Sequence, residues 1–208
     1  MPIGPIIGPM VMAGVLADEN QLSILKSIGV KDSKLLIHKK RLELYDKIIS
    51  SVNSYRVVVV QPFEIDSALD SQDMNLNWLE AHTSARIINE LSPASITVDC
   101  PSVNTSAYRD YLLNLLINKN VACRIEHKAD LNYVECSAAS ILAKVVREME
   151  VSALKEEFGD FGSGYLADPK TDKFLKEHAF DFPHIFRKTW APYKVLANIK
   201  NQRSLADF

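Results

Sequence analysis

The feature that most limits the fold of this chain is its alternation of short β-branched segments with amphipathic helices. Residues 55–60, Tyr-Arg-Val-Val-Val-Val, are typical of a strand that Pro62 ends, and residues 75–90 have apolar side chains at helical spacing. A strand-helix-strand series then occupies residues 95–99, 108–118 and 121–126. With an early strand at residues 10–15, this alternation predicts an α/β fold, a mixed sheet flanked by helices.

Composition excludes several classes of protein. The chain has 208 residues, of which 47% are hydrophobic and 24% charged, as in an ordinary globular domain. No apolar run approaches the length of about 20 residues that a membrane span needs, so we expect no membrane association. Three cysteines without Cys-x-x-Cys spacing indicate reduced thiols in a cytoplasmic protein.

Charge is distributed unevenly along the chain. Residues 165–208 contain eight Lys or Arg against five Asp or Glu, whereas residues 1–164 contain 16 against 21. An acidic body with a basic tail fits a metal site beside a phosphate-binding surface. A solvated helical tail has the same composition, so charge alone leaves both interpretations open.

Two aspartates follow neighbouring strands of the predicted sheet. Asp99 ends one strand, and Asp130 follows the next strand, 31 residues later. If these strands are parallel, both carboxylates lie at the same edge of the sheet, where hard oxygen ligands suit Mg²⁺ or Mn²⁺. Alternatively, Asp99 begins a turn and Asp130 caps a helix. Spacing does not decide between these roles.

Several segments of the sequence occur in the order of a known family. They are GPIIGPMVMAGV, GVKDSKLL, NLNWLE, HKADLNYVECSAASILAKVVRE and GDFGSGYLADPKT, followed by RKTW. Together they resemble type 2 ribonuclease H (ribonuclease HII), in an arrangement similar to that of its archaeal members, from Gly4 to about Lys194. The resemblance implies a ribonuclease H-like catalytic domain over residues 1–160 and a C-terminal helical substrate-binding extension over residues 161–208.

The resemblance also implies an activity. Members of the family are endonucleases that hydrolyse the RNA strand of RNA–DNA hybrids, including single ribonucleotides embedded in DNA, by a two-metal-ion mechanism. Asp99 and Asp130 match two of the four acidic ligands that hold Mg²⁺ or Mn²⁺ in the family. We therefore expect a monomer whose partners are RNA–DNA hybrids or DNA with embedded ribonucleotides.

Nine further residues match substrate-binding positions of the family. Tyr165 matches the tyrosine beside the scissile ribonucleotide, which helps to test for the 2′-hydroxyl. The other matches are Gly4, Lys31, Ser33, Lys34, Ser137, Ser140, Arg187 and Lys188. Each also has an ordinary structural interpretation, such as a helix cap for Ser137 or a surface turn for Tyr165.

One family segment has no counterpart in this sequence. The family begins with an apolar strand ending in Asp-Glu, followed by Ala-Gly-Arg-Gly-Pro, and only Gly4 and Pro5 match that motif. We therefore expect the first central strand to be absent and activity to be lower by orders of magnitude, since two of four carboxylates are missing. A longer natural chain, or a degenerate homologue that binds hybrids or RNA–DNA junctions without cutting them, would each explain this departure.

Overall fold

The computed structural model describes residues 4–31 and 36–206, with side chains as far as residue 202. Within these ranges four strands and nine helices follow one another along the chain: β1 (Met10–Leu16), α1 (Glu19–Ser27), α2 (His38–Ser51), β2 (Ser54–Val60), α3 (Pro62–Leu69), α4 (Leu76–Leu91), β3 (Ser95–Asp99), α5 (Thr105–Leu115), β4 (Ala122–Glu126), α6 (Ala129–Asn132), α7 (Val134–Phe158), α8 (Pro169–His178) and α9 (Ala191–Ala206). None of the helices in these ranges is both long enough and apolar enough to span a bilayer. The α/β prediction is confirmed.

The chain forms two compact units, each built from separate segments. Unit 1 comprises Met1–Met10, Val60–Met74 and Glu148–Phe208, and unit 2 comprises Val11–Val59 and Asn75–Arg147. The predicted boundary between a catalytic domain, residues 1–160, and an extension, residues 161–208, stays a prediction.

In unit 2, β3 and β4 form a parallel pair. Their register joins Ser95 to Ala122 at one end and Asp99 to Glu126 at the other. The connection between them is α5, as expected for parallel strands, which need a crossover. A cluster of buried residues from α4, α5 and the two strands packs at this pair, and its fully covered members include Ala81 and Leu112.

A second pair in unit 2 consists of β1 and β2. The amide of Asn53 donates to the carbonyl of Leu16 at 2.9 Å, which joins the end of β1 to the start of β2. Residues of α1, α2 and α7 form the core that packs on this pair, with Leu44 and Ile141 fully buried. Within the described ranges β1 and β3 belong to separate sheets.

Side-chain caps explain where several helices begin. Asp18 and Gln21 form a capping box at α1, and Asn75 accepts from the amide of Trp78 at 3.0 Å at α4. Asn104 caps α5 in the same way. The polar residues that precede these helices therefore determine where each helix begins.

Gly14 lies where β1 contacts α4. A Cβ atom at this position would be 2.5 Å from Cγ2 of Ile87, a distance that forces a shift. We expect Gly14→Ala to lower the free energy of unfolding by about 1–3 kcal/mol through overpacking. Urea denaturation followed by circular dichroism measures this loss. The double variant Gly14→Ala/Ile87→Ala should lose less than the sum of the single variants, and strict additivity would contradict the steric explanation.

In unit 1 the segment Gly4–Pro9 is bound by two later parts of the chain. The amides of Ile6 and Ile7 donate to the carbonyl of Gly164 at 2.8 and 3.3 Å, and Ile7 forms an antiparallel bridge with Phe186. Ile6 and Ile7 are fully buried. The Gly/Pro-rich opening of the sequence is therefore a core element of unit 1.

Candidate active site

Asp99 is the last residue of β3 and is exposed. Its carboxylate Oδ1 accepts a hydrogen bond from the amide of Ala129 at 3.1 Å. Ala129 begins α6 and directly precedes Asp130. The parallel pairing of β3 with β4 thus brings the amide of Ala129, the residue before Asp130, to the carboxylate of Asp99.

Asp130 is reached through a sharp turn after β4. Lys128 adopts the left-handed backbone conformation, with φ of +60°, which a residue with a Cβ rarely does. Asp130 itself is only 5% exposed, and the hydroxyl of Ser137 donates to its carbonyl at 2.5 Å. The start of α7 is therefore tied to the short helix that holds the second aspartate.

His127, which follows β4, contacts the segment that follows β3. Its Nδ1 lies 3.1 Å from the carbonyl of Cys100, and its Nε2 lies 3.2 Å from the hydroxyl of Thr105. Both ring nitrogens are within hydrogen-bonding distance of protein groups, which supports a structural role for this histidine next to the aspartates.

Two further carboxylates lie near the pair and have partners within the protein. Glu126 accepts from the hydroxyl of Tyr133 at 2.5 Å, and Glu135 accepts from the hydroxyl of Thr97 at 3.1 Å. The sequence analysis did not select either residue. Glu126 could have been selected because it is the last residue of a predicted strand and precedes a histidine. No feature of the sequence pattern distinguishes Glu135.

Cys136 lies among these carboxylates. Its thiol donates to the carbonyl of Thr97 at 3.3 Å. Burial raises the pKa of the Cys136 thiol to about 12, and the negative charges of Glu135 and Asp99 act in the same direction.

The raised pKa predicts an unreactive thiol. Because only the thiolate is nucleophilic, Cys136 should react with iodoacetamide far more slowly in the folded protein than in urea at the same mildly alkaline pH. Peptide mass spectrometry after timed alkylation measures this ratio. Equal rates in the folded and unfolded protein would contradict the burial described above.

The donor set of the site suits a small hard cation. Mg²⁺ is commonly bound through one or two carboxylates with the substrate's phosphate oxygens, and Asp99 and Asp130 supply two carboxylates. Over residues 4–31 and 36–202, however, no three or more His, Cys, Asp or Glu side chains are grouped so as to hold an ion by themselves. The residues therefore fit a metal that the substrate helps to bind, and do not form a closed cage.

The predicted phosphate contacts of unit 2 have different surroundings. Ser137 lies in the first turn of α7, is 3% exposed and uses its hydroxyl within the protein, while Ser140 is half-buried one turn later. Lys31 is exposed after α1. Ser33 and Lys34 lie outside the described residues. Contact of these side chains with a substrate stays a prediction.

In unit 1, Tyr165 is held at the end of a glycine-rich turn. Gly162 and Gly164 have φ of +78° and +81°, a region that glycine adopts without steric cost. The carboxylate of Asp168 accepts from the amide of Ser163 at 2.7 Å, which fixes the turn at the start of α8. Tyr165 is 40% exposed.

Gly4 and Arg187 are neighbours in unit 1. The guanidinium of Arg187 lies 5.1 Å from the ring centre of Trp190, and its Nε donates to the carbonyl of Gly8 at 3.1 Å. A Cβ on Gly4 would be 3.3 Å from this guanidinium. Arg187 is 3% exposed, while Lys188 beside it is exposed. The structure thus joins the N-terminal segment to the Arg-Lys-Thr-Trp turn.

Asp66 is a buried residue of unit 1 that the sequence analysis missed. It lies on α3, a helix for which the sequence analysis makes no prediction beyond Pro62 as the end of the preceding strand. Pro62 at the first turn and a capping box between Gln61 and Glu64 were the available signals for this helix.

The fold, with Asp99 at the end of β3 and Asp130 in the short helix after β4, is that of a ribonuclease H-type protein. The family model described as Ribonuclease HII matches residues 3–193. Ribonuclease HII of Pyrococcus furiosus is 42% identical over 207 residues, which cover 97% of this chain and 90% of that protein. This chain belongs to the ribonuclease HII family.

Solved structures agree with this assignment. Ribonuclease H2 from Pyrococcus horikoshii superposes with a TM-score of 0.84 at 36% identity, over 94% of this chain and 93% of the other. The structure of a PCNA:RNase HII complex from Archaeoglobus fulgidus gives a TM-score of 0.82 at 37% identity, over 93% and 91%. Both comparisons extend across nearly the whole of this chain.

Proposed function

We propose that this chain is an endonuclease that hydrolyses the RNA strand of RNA–DNA hybrids and single ribonucleotides in DNA by a two-metal-ion mechanism. Asp99 and Asp130 would hold Mg²⁺ or Mn²⁺ together with the substrate's phosphate. Such ions would supply activation of the attacking water and stabilisation of the leaving 3′ oxygen. The observation that supports the proposal is the hydrogen bond from the amide of Ala129, the residue before Asp130, to the carboxylate of Asp99 at the end of a parallel pair.

The other proposed roles belong to unit 1. Tyr165 presents its exposed ring to the sugar or base of the ribonucleotide, where a 2′-hydroxyl distinguishes RNA from DNA. Lys188 contacts phosphate as an exposed cation. Gly4 supplies main-chain contacts, and Arg187 acts by holding the segment that contains them, since it is bonded to Gly8.

A cleavage assay tests the proposal. Three labelled duplexes of one sequence are compared: an RNA–DNA hybrid, DNA with a single ribonucleotide, and DNA alone, each with Mg²⁺, Mn²⁺ or EDTA. We expect cleavage of the first two only, and only with a divalent ion. Cleavage of the all-DNA duplex, or cleavage in EDTA, would overturn the proposal.

A second candidate function is binding without cleavage. It is favoured by the number of carboxylates that match the family's acidic ligands, since only two of the four, Asp99 and Asp130, have a match in this sequence. Fluorescence anisotropy on the same three duplexes distinguishes the two functions. Preferential binding of the hybrid or of the ribonucleotide junction, without turnover in either metal, would establish this second function in place of the first.

We also propose that a PCNA-type sliding clamp is a partner, since a relative with 37% identity forms such a complex. Val195 and Ile199 on α9 are exposed, one helical turn apart, and the sequence continues with Leu205 and Phe208. Apolar residues spaced in this way suit docking into a groove of a partner. Calorimetry with an archaeal PCNA should show binding that a chain truncated after Asn201 loses. Unchanged affinity of the truncated chain would exclude its last residues as the contact.

A further inference from the structure

Asp66 is bonded to the turn that contains Lys188. Its Oδ2 accepts from the amide of Lys188 at 2.9 Å, and its Oδ1 accepts from the amide of Thr189 at 2.9 Å and from the Thr189 hydroxyl at 2.7 Å. Only 9% of Asp66 is exposed. Three hydrogen bonds from one segment to one buried carboxylate fix the path of the main chain there, because charge-assisted bonds are short and strong.

The helix that carries Asp66 is itself well defined. α3 has Pro62 in its first turn, and the carboxylate of Glu64 accepts from the amide of Gln61 at 2.7 Å. Ile65, next to Asp66, is fully buried. The carboxylate is therefore presented from an anchored helix, and its position does not depend on the turn that it holds.

Lys188 differs from its neighbours in the turn. Arg187 and Trp190 are buried, and Lys188 is exposed. Its amide is held by Asp66, so its Cα is fixed while its ammonium group is directed to solvent. A cation on a fixed main chain loses less conformational freedom on binding phosphate than a cation on a mobile loop.

We infer that Asp66 is a positioning residue that sets Lys188 for contact with a phosphate of the nucleic-acid substrate. This inference rests on the proposed function, because Lys188 contacts phosphate only if the chain binds a hybrid. Asp66 touches no substrate atom in this role. It acts through the main chain of Lys188 and Thr189.

The salt dependence of hybrid binding tests the inference. Each phosphate contact contributes about 1 to the slope of the logarithm of the association constant against the logarithm of the KCl concentration. We expect Lys188→Ala to reduce the magnitude of the slope by about 1. Asp66→Asn, which removes the charge with little change of size, should cause a similar reduction. The double variant should lose nothing beyond Lys188→Ala.

Milder and unrelated variants complete the experiment. Thr189→Val removes one of the three bonds and should give a smaller reduction of the slope than Asp66→Asn. Thr83→Val removes a buried hydroxyl of α4 in unit 2, bonded to the carbonyl of Leu79, and should leave the slope unchanged. Thermal unfolding of every variant checks that each one is folded under the conditions of the binding assay.

The outcomes are distinct. A wild-type slope for Asp66→Asn, or additive losses in the double variant, would overturn the inference. Cleavage of the hybrid by the wild-type chain would still uphold the proposed function in that case. Failure of the wild-type chain to prefer a hybrid over plain DNA would overturn the proposed function and this inference with it.

Discussion

Asp99→Asn is expected to lower divalent-dependent cleavage of an RNA–DNA hybrid by about 100–1,000-fold or more. The amide keeps the size of the side chain and removes the charge that a bound cation and its activated water require. Single-turnover cleavage in Mg²⁺ measures the loss. In EDTA the variant should bind the hybrid at least as tightly as the wild-type chain, since a negative charge near a phosphate has been removed.

The prediction can also be tested if the chain binds without cutting. In that case Mg²⁺ should strengthen hybrid binding by the wild-type chain, and Asp99→Asn should lose this effect. Asp110→Asn provides a matched control, because Asp110 is an exposed aspartate of α5 in the same unit. An Asp99→Asn variant that behaves like Asp110→Asn in both assays would exclude Asp99 as a metal ligand.

Trp190→Ala is expected to lower the free energy of unfolding by about 3–5 kcal/mol, the usual cost of removing a buried tryptophan. Trp190 is 2% exposed, and its ring supports the guanidinium of Arg187. The cavity would form where Gly4 approaches the ring, so the N-terminal segment should also loosen. Urea denaturation followed by far-ultraviolet circular dichroism measures the loss, and Trp78 provides an independent fluorescence signal.

Trp190→Phe separates packing from the indole nitrogen. Within the described residues the Nε1 of Trp190 is buried without a hydrogen-bond partner, so its removal costs no bond there. The phenylalanine variant should therefore lose much less stability than the alanine variant. A loss of less than about 1 kcal/mol for Trp190→Ala would contradict a core role for this residue.

Local patterns predict several elements of unit 2. They indicate a strand over residues 95–99, which is β3, and a helix over residues 75–90, which is α4, Leu76–Leu91. In these segments β-branched runs, helical spacing and asparagine caps all favour one structure, and the packing agrees with them.

Unit 1 was harder to predict because its contacts are distant in sequence. Burial of Arg187 depends on the carbonyl of Gly8, 179 residues away, and no local pattern encodes that bond. Asp66 was missed for the same reason, since its partners are 122 and 123 residues distant. The family resemblance supplied candidate residues for unit 1, and only the structure shows how the chain holds them in place.

The bonding of the segment Gly4–Pro9 has a consequence for the synthesis of the protein. Ile6 and Ile7 are synthesised before their partners Gly164 and Phe186, which lie about 160–180 residues later in the chain. At about 5–20 residues per second, the interval is roughly 10–40 s. Throughout that time the nascent chain carries an apolar segment without its partners, so unit 1 cannot complete its folding until Phe186 has been synthesised.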